Sequence, residues 1–400
     1  MRDVPMYNPT HRVPRSRKHG PDSDPSVRWS HQLQKYVHEV AIWDNTVYVA
    51  VSDEVVAIGT DGTEQWSFRT DDEVWSSPAV VDGTVYVGSD DAHVYALDAR
   101  SGTEQWSFRT DGEVRSSPAV VDDTVYVGSG YSAQVSSPPF DRGTVYALDA
   151  ASGTERWTFQ TANDPVSGVS SSPAVVDGTV YVGSDDAHVY ALDARSGTEQ
   201  WSFQTANAPS SVVRSSPAVV DGTVYIGSRD THVYALDARS GTEQWSFQTD
   251  GWVRSSPAVV DDTVYVGSDD TRVYALDARG GTEQWSFRTD GEVRSSPAVV
   301  DDTVYIGNVD RHVYALDAAS GTEQWSFQTD GTTISPVVVD GTVYVGSCDR
   351  VYALGEEESG GNTKVYERCS GCGADLSDHG DVNFCPKCGA QTETSADSNS

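Results

Sequence analysis

One short phrase, Thr-Val-Tyr-Val/Ile-Gly-Ser or a variant, begins at Thr46, Thr84, Thr124, Thr179, Thr223, Thr263, Thr303 and Thr342. A second phrase, Ala-Leu-Asp-Ala-Arg-Ser-Gly-Thr-Glu-Gln-Trp or a near copy, ends at Trp66, Trp106, Trp157, Trp201, Trp245, Trp285 and Trp325, in steps of 40 to 51 residues. Trp29 lies 37 residues before Trp66 and makes a set of eight. A period of this length restricts the chain to architectures in which one small unit packs against the next.

Each unit holds four short alternating runs, in the second copy residues 74–81, 84–89, 93–97 and 104–108. Turn signals separate them: Asp82-Gly83, Ser89-Asp90-Asp91 and Ser101-Gly102. Alternation broken by Asp-Gly turns reads as antiparallel hairpins. Leu and Ile are scarce beside Val, Tyr and Trp, the composition of pleated, half-buried strands. Four strands in about 40 residues make a propeller blade. The expected fold is therefore all-β, an eight-bladed propeller of four-stranded antiparallel blades. The last repeat supplies only three runs, near 333–339, 342–347 and 350–354, while residues 27–33, around Trp29, have no strands before them. If 27–33 is the missing outer strand of the last blade, the ring closes without an open edge. A seven-bladed ring would leave Trp29 unexplained.

The pattern Ala96-x-Asp98-x-x-x-Gly102-x-x-x-Trp106 recurs at 147–157, 191–201, 235–245, 275–285 and 315–325, and one residue short before Trp66. It resembles the tryptophan-docking motif of quinoprotein-type, PQQ-like propeller repeats, over roughly residues 26–354. The resemblance implies that Trp29, Trp66, Trp106, Trp157, Trp201, Trp245, Trp285 and Trp325 sit on outermost strands and dock on neighbouring blades. An indole buries on the order of 200 Å², enough to join one blade to the next. The family holds quinone-dependent alcohol dehydrogenases, for which it implies adjacent cysteines at the cofactor, Glu, Asn and Asp on calcium, and an Asp base. This propeller has one cysteine, Cys348, and its acidic residues are mostly repeat copies in turns. An active site needs a few unlike groups converging, and no such set is visible. Bound PQQ is not expected. The non-enzymatic, BamB-like relatives are protein-interaction scaffolds, and that reading suits this chain better. The chain is expected to be a non-catalytic scaffold, with a quinoprotein oxidoreductase and a small-anion or saccharide sensor as alternatives.

The formal net charge is −33, and only Lys18, Lys35, Lys364 and Lys387 are lysines. A densely acidic, lysine-poor chain resembles proteins of salt-accumulating, archaeal-type halophiles, where carboxylates hold water and salt screens their repulsion. Such a field opposes nucleic acid and anionic membranes. No window approaches the roughly 20 apolar residues of a membrane span. Residues 1–25 are locally basic, lack an apolar core and read as a disordered arm rather than an export signal.

After a linker, 355–368, come Cys369-Ser-Gly-Cys372-Gly and Cys385-Pro-Lys-Cys388-Gly. Two Cys-x2-Cys turns can place four thiolates on one tetrahedral ion. Residues 369–390 are expected to be a zinc ribbon with structural Zn2+ on Cys369, Cys372, Cys385 and Cys388, and 391–400 a disordered tail. A disulfide or an iron site is the alternative. Retained thiols suit a reducing cytoplasm. The expected molecule is a cytoplasmic monomer with a protein partner and no nucleic-acid or membrane-inserted partner.

Three loops exceed the minimal repeat: 131–143, 161–168 and 205–212. In an up-and-down blade all three fall on one face, and insertions gathered there mark a binding side. Four inner strands begin Arg-Ser-Ser-Pro, placing Arg115, Arg214, Arg254 and Arg294 at the channel mouth on that face. The other blades carry Val37, Trp75, Ser170 and Thr333 at the aligned position. These arginines form a candidate anion site. The alternative is that they pair with Asp90, Asp91, Asp185, Asp269 or Glu113. His93, His188, His232 and His312 recur one per blade and read as solvated strand starts, not as metal ligands.

Overall fold

Every Thr-Val-Tyr run is the second strand of a four-stranded antiparallel sheet, and eight such sheets form the propeller. The computed structural model describes residues 21, 24–130, 143–161, 168–205 and 211–356. Blades 1 to 7 occupy residues 37–69, 79–109, 119–160, 174–204, 218–248, 258–288 and 298–328, each in the sequential strand order of a meander. Blade 8 takes three strands, Val337–Val339, Thr342–Ser347 and Arg350–Gly355, from the end of the described chain. Its outer strand is Ser26–Gln32, antiparallel to Arg350–Gly355 with Ser26 opposite Gly355.

In seven of the eight blades the hairpin between first and second strands turns through two residues of positive φ. Asp82 and Gly83 lie at 49° and 80°, Asp122 and Asp123 at 47° and 56°. Such turns match the twist of the strands they join, and Asp and Gly tolerate the left-handed region.

The blades are locked by two donors meeting one carbonyl. Trp66 Nε1–H donates to Ala99 O of blade 2 at 3.0 Å, and Tyr48 Oη–H donates to the same oxygen at 3.1 Å. The pair recurs as Tyr86 and Trp106 on Ala150, Tyr126 and Trp157 on Ala194, and Tyr181 and Trp201 on Ala238. It continues with Tyr225 and Trp245 on Ala278, and Tyr265 and Trp285 on Ala318. Each carbonyl offers two lone pairs, so both donors are satisfied. The indole lies against the glycine of the next blade's tight turn. A Cβ on Gly102, which has φ +68°, would come within 2.6 Å of Trp66 Cε3.

The junction of the two chain ends uses the same parts with substitutes. Trp29 donates to Thr60 O of blade 1 at 2.7 Å and packs on Gly62. Trp325 of blade 7 finds no tight turn in blade 8 and donates instead to Pro21 O at 2.9 Å. It is 2% exposed, the most buried of the docking indoles.

Inner strands are shorter than the apolar runs suggest. In blade 2 the strand is Ala79–Val81 rather than 74–81, because Pro78 has no N–H for the ladder. Serine hydroxyls take over there: Gly88 N–H donates to Ser76 Oγ at 2.8 Å, and Ser76 Oγ–H donates to Gly88 O at 2.9 Å. The second serine links blades around the axis. Ser77 N–H donates to Ser117 Oγ at 2.9 Å, and the relay passes through Ser172, Ser216, Ser256 and Ser296 to Ser335.

Blade 1 interrupts this relay. Its inner strand lacks proline, runs the full Val37–Trp43, and has Glu39 where blade 2 has Ser77. At the open end of the relay, Ser77 Oγ is buried without a hydrogen-bond partner. Glu39 keeps partial solvent contact, but protein surrounds it closely enough that burial pushes its carboxyl up to about 8.

Two outcomes follow in denaturant and thermal unfolding. Trp201→Ala should cost about 3–5 kcal/mol, while Tyr181→Phe, which removes one of the two donors, should cost about 1 kcal/mol. For Glu39 the raised pKa means the folded chain holds the proton more tightly than the unfolded one. Stability tied to this group is complete below the ordinary glutamate range and is lost as pH rises through about 8. Glu39→Gln should therefore stabilise the chain more at pH 9 than at pH 5, by a difference on the order of 2 kcal/mol. An equal gain at both pH values would contradict this.

Candidate partner-binding face

The inner strands start, and the second strands end, at the same rim of the channel. Asp90 N–H, after the second strand of blade 2, donates to Glu73 O just before its inner strand at 2.8 Å, and Asp269 N–H donates to Trp252 O in blade 6 at 2.8 Å. The long loops are rooted here too. Gly130 N–H donates to Glu113 O, Thr161 N–H to Gly143 O, and Thr205 Oγ1–H to Ser211 O. The bodies of those loops, 131–142, 162–167 and 206–210, lie outside the described residues.

At the rim, a side chain of seven of the eight blades, a valine in six, fills the space above a glycine of the blade before it. Val114, Val169, Val213, Val253 and Val293 sit where a Cβ on Gly88, Gly128, Gly183, Gly227 and Gly267 would be. Val37 fills this place over Gly346, and Thr333 fills it over Gly307. The alignment of Val37 and Thr333 with the arginines is thus corrected by one residue. His38 follows Val37 as Arg115 follows Val114, whereas Ile334 lies against Gly346 of its own blade, where Ser76 meets Gly88 in blade 2, so blade 8 has no residue in the arginine place. Counting from the repeated turn misplaces them because neither blade has the full Val-Arg-Ser-Ser-Pro spacing.

All four arginines are paired with carboxylates. Arg115 makes a two-pronged contact with Asp90 at 3.0 and 2.8 Å and also meets Glu113 at 2.8 Å. Burial pushes the Asp90 carboxyl up, against the pull of the Arg115 guanidinium. Arg214 holds Asp185 with both prongs at 3.0 Å. Arg254 meets Asp269 at 3.1 Å, and Arg294 meets Asp269 at 3.5 Å and Glu292. Asp91 pairs elsewhere, accepting from Tyr95 Oη–H at 2.8 Å. The four do not converge as a ring of unneutralised cations; each stitches its blade to an acid.

His93, His188, His232 and His312 each turn Nδ1 to the Asp two residues earlier, at 2.9 to 3.2 Å from its carbonyl. Their rings lie against Tyr95, Tyr190, Tyr234 and Tyr314 of the same blades. Cys369, Cys372, Cys385 and Cys388 lie outside the described residues.

The mouth carries aromatic groups that the repeat phrases do not announce. Among the described residues, the exposed large hydrophobics are Val27, Tyr36 and Trp75, and two of the three share this rim. Tyr36 is 56% and Trp75 43% exposed. Between them lies buried His38, its ring 3.8 Å from the Trp75 centroid and 6.3 Å from that of Tyr36. Burial pushes the His38 pKa down, so it presents a neutral ring, and its Nε2 has no hydrogen-bond partner. Arg115 extends the row, 6.0 Å from the Trp75 ring. The signal in the sequence was the loss of the repeat at these positions: Tyr36 and Trp75 stand where other copies carry Glu or Arg.

Cys348 Sγ lies 3.6 Å from Tyr36 Oη beside this patch. It has no cysteine neighbour in sequence. The donor set that the quinoprotein resemblance implies, an adjacent cysteine pair with Glu, Asn and Asp on calcium, does not fit these residues.

Solved structures similar to this fold include BamB, quinoprotein dehydrogenases and a designed protein. BamB from Moraxella catarrhalis superposes with a TM-score of 0.69 at 21% identity, covering 84% of this chain and 99% of its own. The quinohemoprotein alcohol dehydrogenase of Comamonas testosteroni gives 0.71 at 17% identity, covering 85% and 78%. The computationally designed Ika8 protein gives 0.69 at 18% identity, covering 82% and 99%. At these identities the likeness is one of fold. No curated protein matches the sequence. The family model of the outer membrane protein assembly factor BamB matches residues 22–137, 116–246 and 229–363. With those three overlapping matches spanning the whole propeller, the chain belongs to the family of the outer membrane protein assembly factor BamB.

Proposed function

We propose that this chain is a non-catalytic protein-interaction scaffold that docks a partner on the rim where the long loops are rooted. The observation that carries the reading is the Tyr36–His38–Trp75 row, continued by Arg115. Tyr, Trp and Arg dominate the energetics of protein interfaces, and here they are exposed on a surface that is otherwise acidic and polar. The rim breaks the repeat in aromatic contacts rather than in a cluster of nucleophiles, acids and bases, which supports binding over catalysis. The family membership agrees with a scaffold role. Among the described residues no helix is long and apolar enough to cross a membrane.

Affinity capture from the source cell with the intact chain tests the face. Tyr36→Ala combined with Trp75→Ala should weaken retention of the partner by about tenfold or more. Arg100→Ala with Arg195→Ala, exposed turn residues at the opposite rim, should leave it unchanged. Equal loss in both double variants, or dye-linked turnover after reconstitution with quinone, would overturn the scaffold reading.

We further propose that Cys369, Cys372, Cys385 and Cys388 bind one structural Zn2+ and that this segment offers a second contact in a cytoplasmic setting. A Cys-x2-Cys pair in each half supplies a closed tetrahedral thiolate set with no position left for substrate. Metal analysis of the purified chain should give about one zinc per chain, and Cys372→Ser with Cys385→Ser should lose it while the propeller keeps its melting temperature. A chain lacking residues 357–400, which leaves the closing strand Arg350–Gly355 intact, should lose part of its captured partners if the segment makes the second contact.

A further inference from the structure

Three of the four column arginines meet an aspartate from the blade before them, and the fourth, Arg254, meets an arginine there instead. Asp90, Asp185 and Asp269 reach forward to Arg115, Arg214 and Arg294 of the next blade. In blade 5 the same place is held by Arg229, whose N–H donates to Val212 O at 3.0 Å just as Asp90 N–H donates to Glu73 O. The backbone frame is shared, and only the side chain differs. It also reaches forward, but to Trp252, with its guanidinium 3.9 Å from the ring centroid. Trp252 itself stands where Glu113 and Glu292 precede Arg115 and Arg294. Arg254 lies over the same indole at 4.7 Å.

The two carboxylates that enclose the arginine of blade 3 are thus replaced in blade 6 by an arginine and an indole. The local set changes from Asp90, Glu113 and Arg115, net −1, to Arg229, Trp252 and Arg254, net +2. Arg254 keeps one acid, Asp269, which it shares with Arg294. Arg229 has none within ion-pair distance among the described residues, and its Nε is buried without an acceptor. Burial and the charges of Arg254 and Arg214 push its pKa down from the ordinary arginine value, yet a guanidinium stays charged. Two like charges against one indole ring, in a chain of net charge −33, form a site that lacks an anion.

We propose that Arg229 and Arg254, both packed on the Trp252 ring, hold a carboxylate presented by the partner that docks on this rim. A planar carboxylate matches the guanidinium fork. One negative charge matches the single cation left without an acid, whereas a phosphate dianion would add a charge beside Asp185, Asp269 and Glu292. The assignment rests on the scaffold reading for its partner, but the site is testable without one.

The probe is an acetylated, amidated peptide, Gly-Ser-Glu-Ser-Gly, titrated against the full chain at constant ionic strength, with glutamine and phosphoserine counterparts at the central position. The side-chain Nε–Hε resonance of Arg229 should shift saturably with the glutamate peptide and stay still with the glutamine one. Arg229→Asp restores the acid that other blades carry, so it should fold with an unchanged or higher melting temperature and bind the glutamate peptide about tenfold more weakly. Equal shifts with glutamine, tighter binding of phosphoserine, or undiminished binding by Arg229→Asp would overturn the carboxylate assignment. If that happens while capture still depends on Tyr36 and Trp75, the scaffold reading stands and this assignment alone falls.

Discussion

Six of the eight blade junctions turn on a single carbonyl oxygen. Ala99 O, and its counterparts around the ring, receives an indole N–H from the outer strand of the blade before it and a phenol O–H from that blade's second strand. Sheets packed face to face through valine alone would slide, because dispersion has no direction. Two hydrogen bonds to one atom fix the angle between sheets, and the turn glycine admits the indole to the place where those bonds form. A deep apolar contact and a directional polar one are thus made by the same side chain. The serine relay repeats the principle at the axis, where proline has removed the ordinary ladder.

Much of this was legible in the sequence. The period, the four alternating runs and the Asp-Gly turns carried the all-β class and the blade count, because each is a local property of the chain. The indoles were legible as docking groups because they mark the period. The tyrosine partner was not, since nothing in Thr-Val-Tyr says which of the next blade's carbonyls lies within reach. Proline shortened the inner strands in a way that the apolar run 74–81 conceals. In blades 1 and 8 a local change of spacing moved Val37 and Thr333 by one place relative to the arginines.

The rim was harder to read, for a different reason. Arg115, Arg214, Arg254 and Arg294 are visible as a column, but their charge is decided by acids on neighbouring blades or across a turn, such as Asp90 and Asp185. Whether an arginine is free or neutralised is a property of two repeats together. The informative residues are those that depart from the column: Tyr36, His38, Trp75, Arg229 and Trp252. Near-identical copies make such departures conspicuous once the repeats are placed in register, and register is what the three-dimensional arrangement of the valines over the glycines supplies.

The closing strand has a consequence for how the molecule is made. Ser26 pairs with Gly355, so the sheet that seals the ring joins residues at opposite ends of the propeller sequence. Seven blades can assemble from contacts within one or two repeats as the chain leaves the ribosome, each covering the exposed side of its predecessor. Blade 8 cannot. Its outer strand is synthesised first and must wait for nearly the whole propeller before its partner exists. Until then Trp29 is undocked from its own sheet, blade 1 has one bare side, and the nascent chain is a curved stack rather than a circle. The final step is a loop closure over the entire domain, the slowest contact by topology.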